Sequence, residues 1–313
     1  MNERARLLRP VLDGDSWVLG PSPALRGLAT EGAPPPTADA PSSHECVDHH
    51  LFQSLDGAWH LWGCIRSTPV GRILYRWEGN SPARGPWRQT GEIIRADRES
   101  GESLEDWGEE EWIQSPFVVQ TDDLYYMFYG GHGTGRDEAG SPVPGDDQRM
   151  ACQICLMTSE DGRSWSRHRN REGFSRLFVG PGETRDPCVI CVGDRWHLYY
   201  AGYDNGNRQE AGFYVRTSTD LLGWSNWRLV HQDPQYGDGP WDTECPCVVY
   251  REGYYYLLRT VNYGAAQSHV FRSDDPFDFG LGDAGDKYVG PLAVAAPEII
   301  VDDEGREFIS SNH

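Results

Sequence analysis

Residues 186–202, DPCVICVGDRWHLYYAG, join an apolar run, a Gly-Asp turn and a second run in which aromatic side chains alternate, the pattern of a β-hairpin. Four other segments repeat it: 47–63 (VDHHLFQSLDGAWHLWG), 115–131 (SPFVVQTDDLYYMFYGG), 245–261 (CPCVVYREGYYYLLRTV) and 296–312 (APEIIVDDEGREFISSN). All but the first open on a proline, Pro116, Pro187, Pro246 and Pro297. A further strand, often ending in Ser-x-Asp, follows the hairpins at 73–79 (ILYRWEG), 156–165 (LMTSEDGRSW), 215–227 (VRTSTDLLGWSNW) and 270–279 (VFRSDDPFDF). Five such units and hardly any helical periodicity predict an all-β fold, a five-bladed β-propeller with four-stranded antiparallel blades, over residues 45–313. Residues 1–44 read as an N-terminal extension ending in a Pro-rich connector, EGAPPPTADAPSS. The fifth unit reaches His313 soon after its second strand, so its outer strands are expected from the stretch around Trp17 to Leu19 or from a further C-terminal piece.

The 313 residues carry 28 Lys+Arg against 48 Asp+Glu, a formal charge of -20. Such a balance opposes nucleic-acid binding, which needs a concentrated positive face. No apolar run has the length of a membrane span, and the opening MNERARLLRPVLDGDSW lacks an export signal, so a cytoplasmic protein is expected. In that setting the eight cysteines should be free thiols. Cys152/Cys155 and Cys188/Cys191 have CxxC spacing, but on strands residues three apart point to opposite faces and do not grip one metal ion. No metal and no cofactor is expected.

In a propeller the inner strands line a central funnel, so polar residues at the hairpin starts converge. Those starts present Asp48, Ser115, Asp186, Glu244 and Glu298. Asp48, Asp186 and Glu244 lie in otherwise apolar runs, CVDHHLF, TRDPCVIC and TECPCVVY, where a carboxylate is costly unless a partner or a function holds it. An Asp beside Pro commonly ties down a turn, but three carboxylates at related places in three repeats suit glycosidic cleavage. That reaction uses one carboxyl to protonate the leaving oxygen and another to attack or to activate water. Strand alternation places His50 on the face of Asp48 and turns His49 away. Trp241 and Trp112 are candidates to stack on sugar rings, and Trp62 reads as core. The Gly-rich segment from Gly130 reads as a loop over the funnel mouth. The acidic segment from Asp97 reads as a solvated rim.

These motifs resemble the five-bladed-propeller glycosidases of glycoside hydrolase families 32 and 68, with family 43 as a broader relative. The resemblance rests on Arg185-Asp186-Pro187, Glu244-Cys245-Pro246 and an Asp48 placed twelve residues before His60-Leu61-Trp62. It implies that Asp48 is the nucleophile, Asp186 the transition-state stabiliser and Glu244 the general acid/base. Arg185 is then a ligand of sugar hydroxyls, joined in substrate binding by His50, Ser115, Trp241, Trp112 and Glu298. The family 43 version implies inversion, with Asp48 as base, Asp186 as pKa modulator and Glu244 as acid. The first-blade segment, Val47-Asp48-His49-His50-Leu51, departs from the Asn-Asp-Pro-Asn-Gly of family 32, and Gln114-Ser115-Pro116 from its second-blade Ser-Gly-Ser pattern. The resemblance implies a furanoside substrate of fructofuranoside or arabinofuranoside type, a small molecule or an oligosaccharide. A sugar-binding module and a biosynthetic enzyme acting on a non-sugar stay open as alternatives.

Overall fold

The computed structural model describes residues 10–14, 16, 19, 45–68, 70–102, 112–133, 152–203, 211–237 and 241–312. Each repeat folds as the inner hairpin of one sheet. The first sheet pairs β1 (Glu45–Gln53), β2 (Trp59–Thr68), β3 (Gly71–Gly79) and β4 (Arg88–Ile94) in chain order. The second runs β5 (Ile113–Gln120), β6 (Tyr125–His132), β7 (Cys152–Ser159), β8 (Ser166–Arg167), and adds β9 (Arg176–Phe178) against β7. β10 (Arg185–Val192), β11 (Arg195–Tyr203), β12 (Ala211–Ser218) and β13 (Arg228–His231) make the third. The fourth comprises β14 (Glu244–Arg251), β15 (Tyr254–Asn262), β16 (Gln267–Ser273) and β17 (Tyr288–Leu292). A two-stranded sheet, β18 (Glu298–Val301) and β19 (Glu307–Ser310), follows.

The result is a β-propeller of antiparallel sheets. Its inner strands β1, β5, β10, β14 and β18 neighbour one another in that cyclic order, with β18 returning to β1. The expectation of five four-stranded blades meets, among the described residues, three sheets of four strands, one of five and one of two. Of the stretch around Trp17 to Leu19, the expected source of an outer strand, Leu19 packs against the core of the first sheet while Trp17 lies outside the described residues, as do the whole connector and residues 134–148 of the Gly-rich loop.

Every four-stranded or larger sheet has a bulge near the start of its inner strand. In β10 the pairing jumps from Arg185 opposite Ala201 to Cys188 opposite Tyr199, and β5 and β14 jump likewise at Ser115-Pro116 and Cys245-Pro246. In β1 the extra residue is Asp48. The bulged residues take left-handed backbone: φ is 45° at Asp48, 52° at Ser115, 59° at Asp186 and 50° at Cys245, and Ala296 repeats it at 46° ahead of β18. Proline suits the next position because a bulge leaves one N–H without a ladder partner.

The core lies between sheets. Trp62 is fully buried, with ring centroids 5.3 Å from Phe52 and 4.8 Å from Trp165 of the second sheet. The cysteines are free, and Cys188 is buried while Cys191 is exposed, as opposite faces of a strand require. One reading of the acidic segment needs correction. Glu102 is no rim residue; it is fully buried, where Arg167 (2.9 Å), Ser175 (2.7 Å) and the Tyr129 hydroxyl all donate to it and offset its desolvation. Residues 103–111 of that segment lie outside the described residues. Replacing Trp62 by Ala should cost about 3–5 kcal/mol of stability, because it deletes a fully buried ring packed between two sheets and leaves a cavity there. Denaturant unfolding followed by tryptophan fluorescence measures this.

Candidate active site

The bulges aim side chains from different sheets at one another. The Ser115 hydroxyl stands 2.8 Å from Asp48 Oδ2 and 2.7 Å from Asp186 Oδ1, linking β1, β5 and β10. Asp186 Oδ2 accepts from Arg185 Nη1 at 2.7 Å and from the Cys245 backbone N–H at 3.1 Å. The same Arg185 nitrogen donates to Glu244 Oε1 at 3.0 Å, and Arg185 Nε lies 3.0 Å from Glu183 Oε1. Asp48 Oδ1 accepts from the Tyr263 hydroxyl at 3.0 Å and faces the Cys245 thiol at 3.4 Å. Asp48, Asp186 and Glu244 thus join one connected cluster.

A serine hydroxyl has one hydrogen, so Ser115 donates to only one of its two carboxyls. The other contact is a hydrogen bond when that carboxyl is protonated and donates to Ser115. Burial raises the pKa of Asp186, with Arg185 opposing and the charge of Asp48 reinforcing the rise. Glu244, whose side chain is 13% exposed, is pushed up to about 8 by burial first; Arg185 pulls against this, and Asp186 and Asp48 add to it. One guanidinium therefore stands among carboxyls that do not all ionise together at neutral pH. Asp48, Asp186 and Cys245 bring ligand-type atoms within 4.8 Å of one another. The guanidinium already on Asp186 disfavours a second cation there.

The structure corrects the positional set read from the sequence. The residue equivalent to Asp48, Ser115 and Asp186 is Cys245 in the fourth repeat and Ala296 in the fifth. Glu244 precedes the bulge and matches Arg185. Glu298 follows it by two residues and meets His50 Nδ1 at 2.5 Å, one layer along the strands from Asp48. His50 also lies 4.4 Å from the Phe117 ring. The bulge breaks the alternation that paired His50 with Asp48. His49 is instead the histidine tied to Asp48, through Asn312 and Tyr263. Trp241 is 58% exposed, its ring 5.7 Å from the Arg185 guanidinium, at the edge of the cluster. Trp112 lies under Arg72, 4.1 Å away, and Arg72 Nη1 donates to Gln114 at 2.6 Å.

Tyr263, Cys245, Glu183 and Asn312 were not singled out from the sequence. Cys245 alone had a signal, its place before Pro246.

No protein-family model and no curated protein matches the chain. Solved structures do match it in shape. A Bombyx mori GH32 β-fructofuranosidase, BmSUC1, superposes with a TM-score of 0.60 at 15% identity over 84% of this chain and 54% of that one. The GH43_1 enzyme from Xanthomonas citri gives 0.56 at 14% identity, covering 85% and 82%. An α-L-arabinofuranosidase from Lactobacillus brevis gives 0.53 at 12%, covering 85% and 82%. The chain has the fold of these β-propellers. It spans about half the length of the Bombyx mori protein.

Ser115→Ala removes the bridge between two crowded carboxyls. It should lower stability by about 1–3 kcal/mol at neutral pH, the cost of leaving a buried polar group without its hydrogen bond, as read from urea unfolding.

Proposed function

We propose that the chain is a glycoside hydrolase that cleaves a furanoside, in a five-bladed propeller whose fifth blade begins with β18 and β19. One observation carries the reading. Three carboxyls from separate inner strands, Asp48, Asp186 and Glu244, are joined through Ser115 and Arg185, and burial pushes Glu244 up to about 8, which favours its acid form at neutral pH. A general acid must be protonated when the glycosidic oxygen departs, and a partner carboxylate must be ready to attack or to activate water. Glu244 takes the first role and Asp48 the second. Asp186, with Arg185, faces the sugar hydroxyls near the developing positive charge. The furanoside preference draws on the fructofuranosidase and arabinofuranosidase among the structural neighbours. Trp241 offers an exposed aromatic face beside Arg185 for the sugar ring.

A panel of aryl furanosides and pyranosides tests this. Glu244→Gln should lower turnover about 10²–10⁴-fold on poor leaving groups, the usual contribution of a general acid, and much less on dinitrophenyl glycosides, which depart without one. Asp48→Asn should be inactive on both. A sugar that binds by calorimetry while no member of the panel is cleaved would move the assignment to a binding module.

The pH profile has a definite sign. Glu244 is raised to about 8, so its acid form prevails below that value and is lost above it. kcat/KM should accordingly fall about tenfold per pH unit on the alkaline side of about 8. A plateau extending through pH 9.5 contradicts the acid role of Glu244.

A further inference from the structure

We propose that Ser310, at the end of β19, and Asn312, two residues beyond it, are positioning residues for Asp48, acting through His49 and Tyr263 as a directed chain of hydrogen bonds. The direction follows from counting protons. The Tyr263 hydroxyl accepts from the Asp48 backbone N–H at 2.8 Å and from Asn312 Nδ2, so its own hydrogen goes to Asp48 Oδ1 at 3.0 Å. With Nδ2 committed to Tyr263, Asn312 presents its oxygen to His49 Nδ1 at 2.9 Å, which makes Nδ1 the protonated ring nitrogen. Burial lowers the pKa of His49 and keeps the ring neutral, so Nε2 is an acceptor, and Ser310 Oγ lies 2.6 Å from it as the donor. Every hydrogen in the chain points toward Asp48. Donors converging on a carboxylate favour its ionised form.

The chain also fixes the backbone. Asp48 is the bulged residue, and its N–H is bonded by Tyr263, not by the β2 strand opposite. One hydroxyl therefore holds both ends of Asp48, which restricts the rotation of its carboxylate. Other charged and titratable groups face Asp48. They are Asp186 from β10, Glu244 and Cys245 from β14, Tyr263 after β15, Cys64 from β2, and His49 with His50 and Glu298 behind it. The relay orients the Asp48 carboxyl within that crowd and aims donors at it, as a nucleophile or base requires. The kinetic half of the inference rests on the glycosidase reading above; the titration of Asp48 does not.

Asn312→Asp is the decisive substitution. It is nearly isosteric, but a carboxylate has no hydrogen to give Tyr263 and instead draws the tyrosine proton away from Asp48. The probe is ¹³C NMR of aspartate-γ-labelled full chain, with the Asp48 signal assigned by Asp48→Asn. The titration of Asp48 should move up by about one pH unit, a tenfold change in its acidity. Tyr263→Phe should shift it similarly, and Asn312→Asp should add less than half its original shift once Tyr263 is Phe. An equal shift in both backgrounds marks through-space repulsion alone and overturns the relay, as does no shift in either. If Asn312→Asp does not fold, judged by circular dichroism, Asn312→Ala serves, with a smaller upward shift expected and an unchanged titration overturning the proposal. On a cleavable glycoside, Asn312→Asp should lower kcat about tenfold with KM within twofold, and the acidic limb of the rate profile should follow the NMR titration. If the unsubstituted chain cleaves no glycoside, the kinetic arm falls with the proposed function while the NMR result still decides the relay.

Discussion

A left-handed residue at the same point of successive inner strands is the constraint on which the site depends. For an L-residue that conformation costs on the order of 1–2 kcal/mol, so it persists only where surrounding bonds over-determine it. Here other sheets supply them: the N–H of Asp48 goes to Tyr263, after β15 of the fourth sheet, that of Cys245 to Asp186 of the third, and that of Ala296 to Thr260 of the fourth. The left-handed backbone at Asp48, Cys245 and Ala296 is thus held from a sheet other than its own, so local sequence preference alone would not produce it.

The electrostatics follow from that crowding. In a chain of net charge -20, the bulges bring Asp48, Asp186 and Glu244 together around a single described guanidinium, Arg185, which also holds Glu183. Arg185 is itself buried and stays charged because the carboxylates around it outweigh its desolvation. The balance is uneven by design of the geometry: Arg185 touches Asp186 and Glu244, whereas Asp48 is served by neutral hydroxyl and thiol donors. Groups of one chemical type are thereby placed in different environments, which sets their acidities apart.

Much of this was legible in the residues. The proline-led hairpins gave the repeat, because proline fits where a bulge has no use for an N–H, and Asp48, Asp186 and Glu244 stood out as carboxylates in apolar runs. What was hidden depended on register. A bulge adds one residue, so alternation counted along CVDHHLF assigned His50 to the face of Asp48 when the hydrogen bonds reach it from His49. Glu298 looked like a member of the inner set because it too stands near a hairpin start, although it lies two residues beyond the bulge position at Ala296. Tyr263 and Asn312 carried no motif at all. They matter through contacts with residues more than two hundred positions away, and Glu102 looked solvated only because its partners Arg167 and Ser175 are distant in sequence.

The serine bridge between Asp48 and Asp186 has a thermodynamic consequence for any molecule that enters. Burial raises the pKa of Asp186 beside that bridge, so a ligand cation seated there favours the carboxylate and displaces any proton it holds, whereas a neutral hydroxyl brings its own hydrogen and leaves the proton count unchanged. Neutral and cationic ligands of this site should therefore differ in how their heats of association vary with the ionisation enthalpy of the buffer.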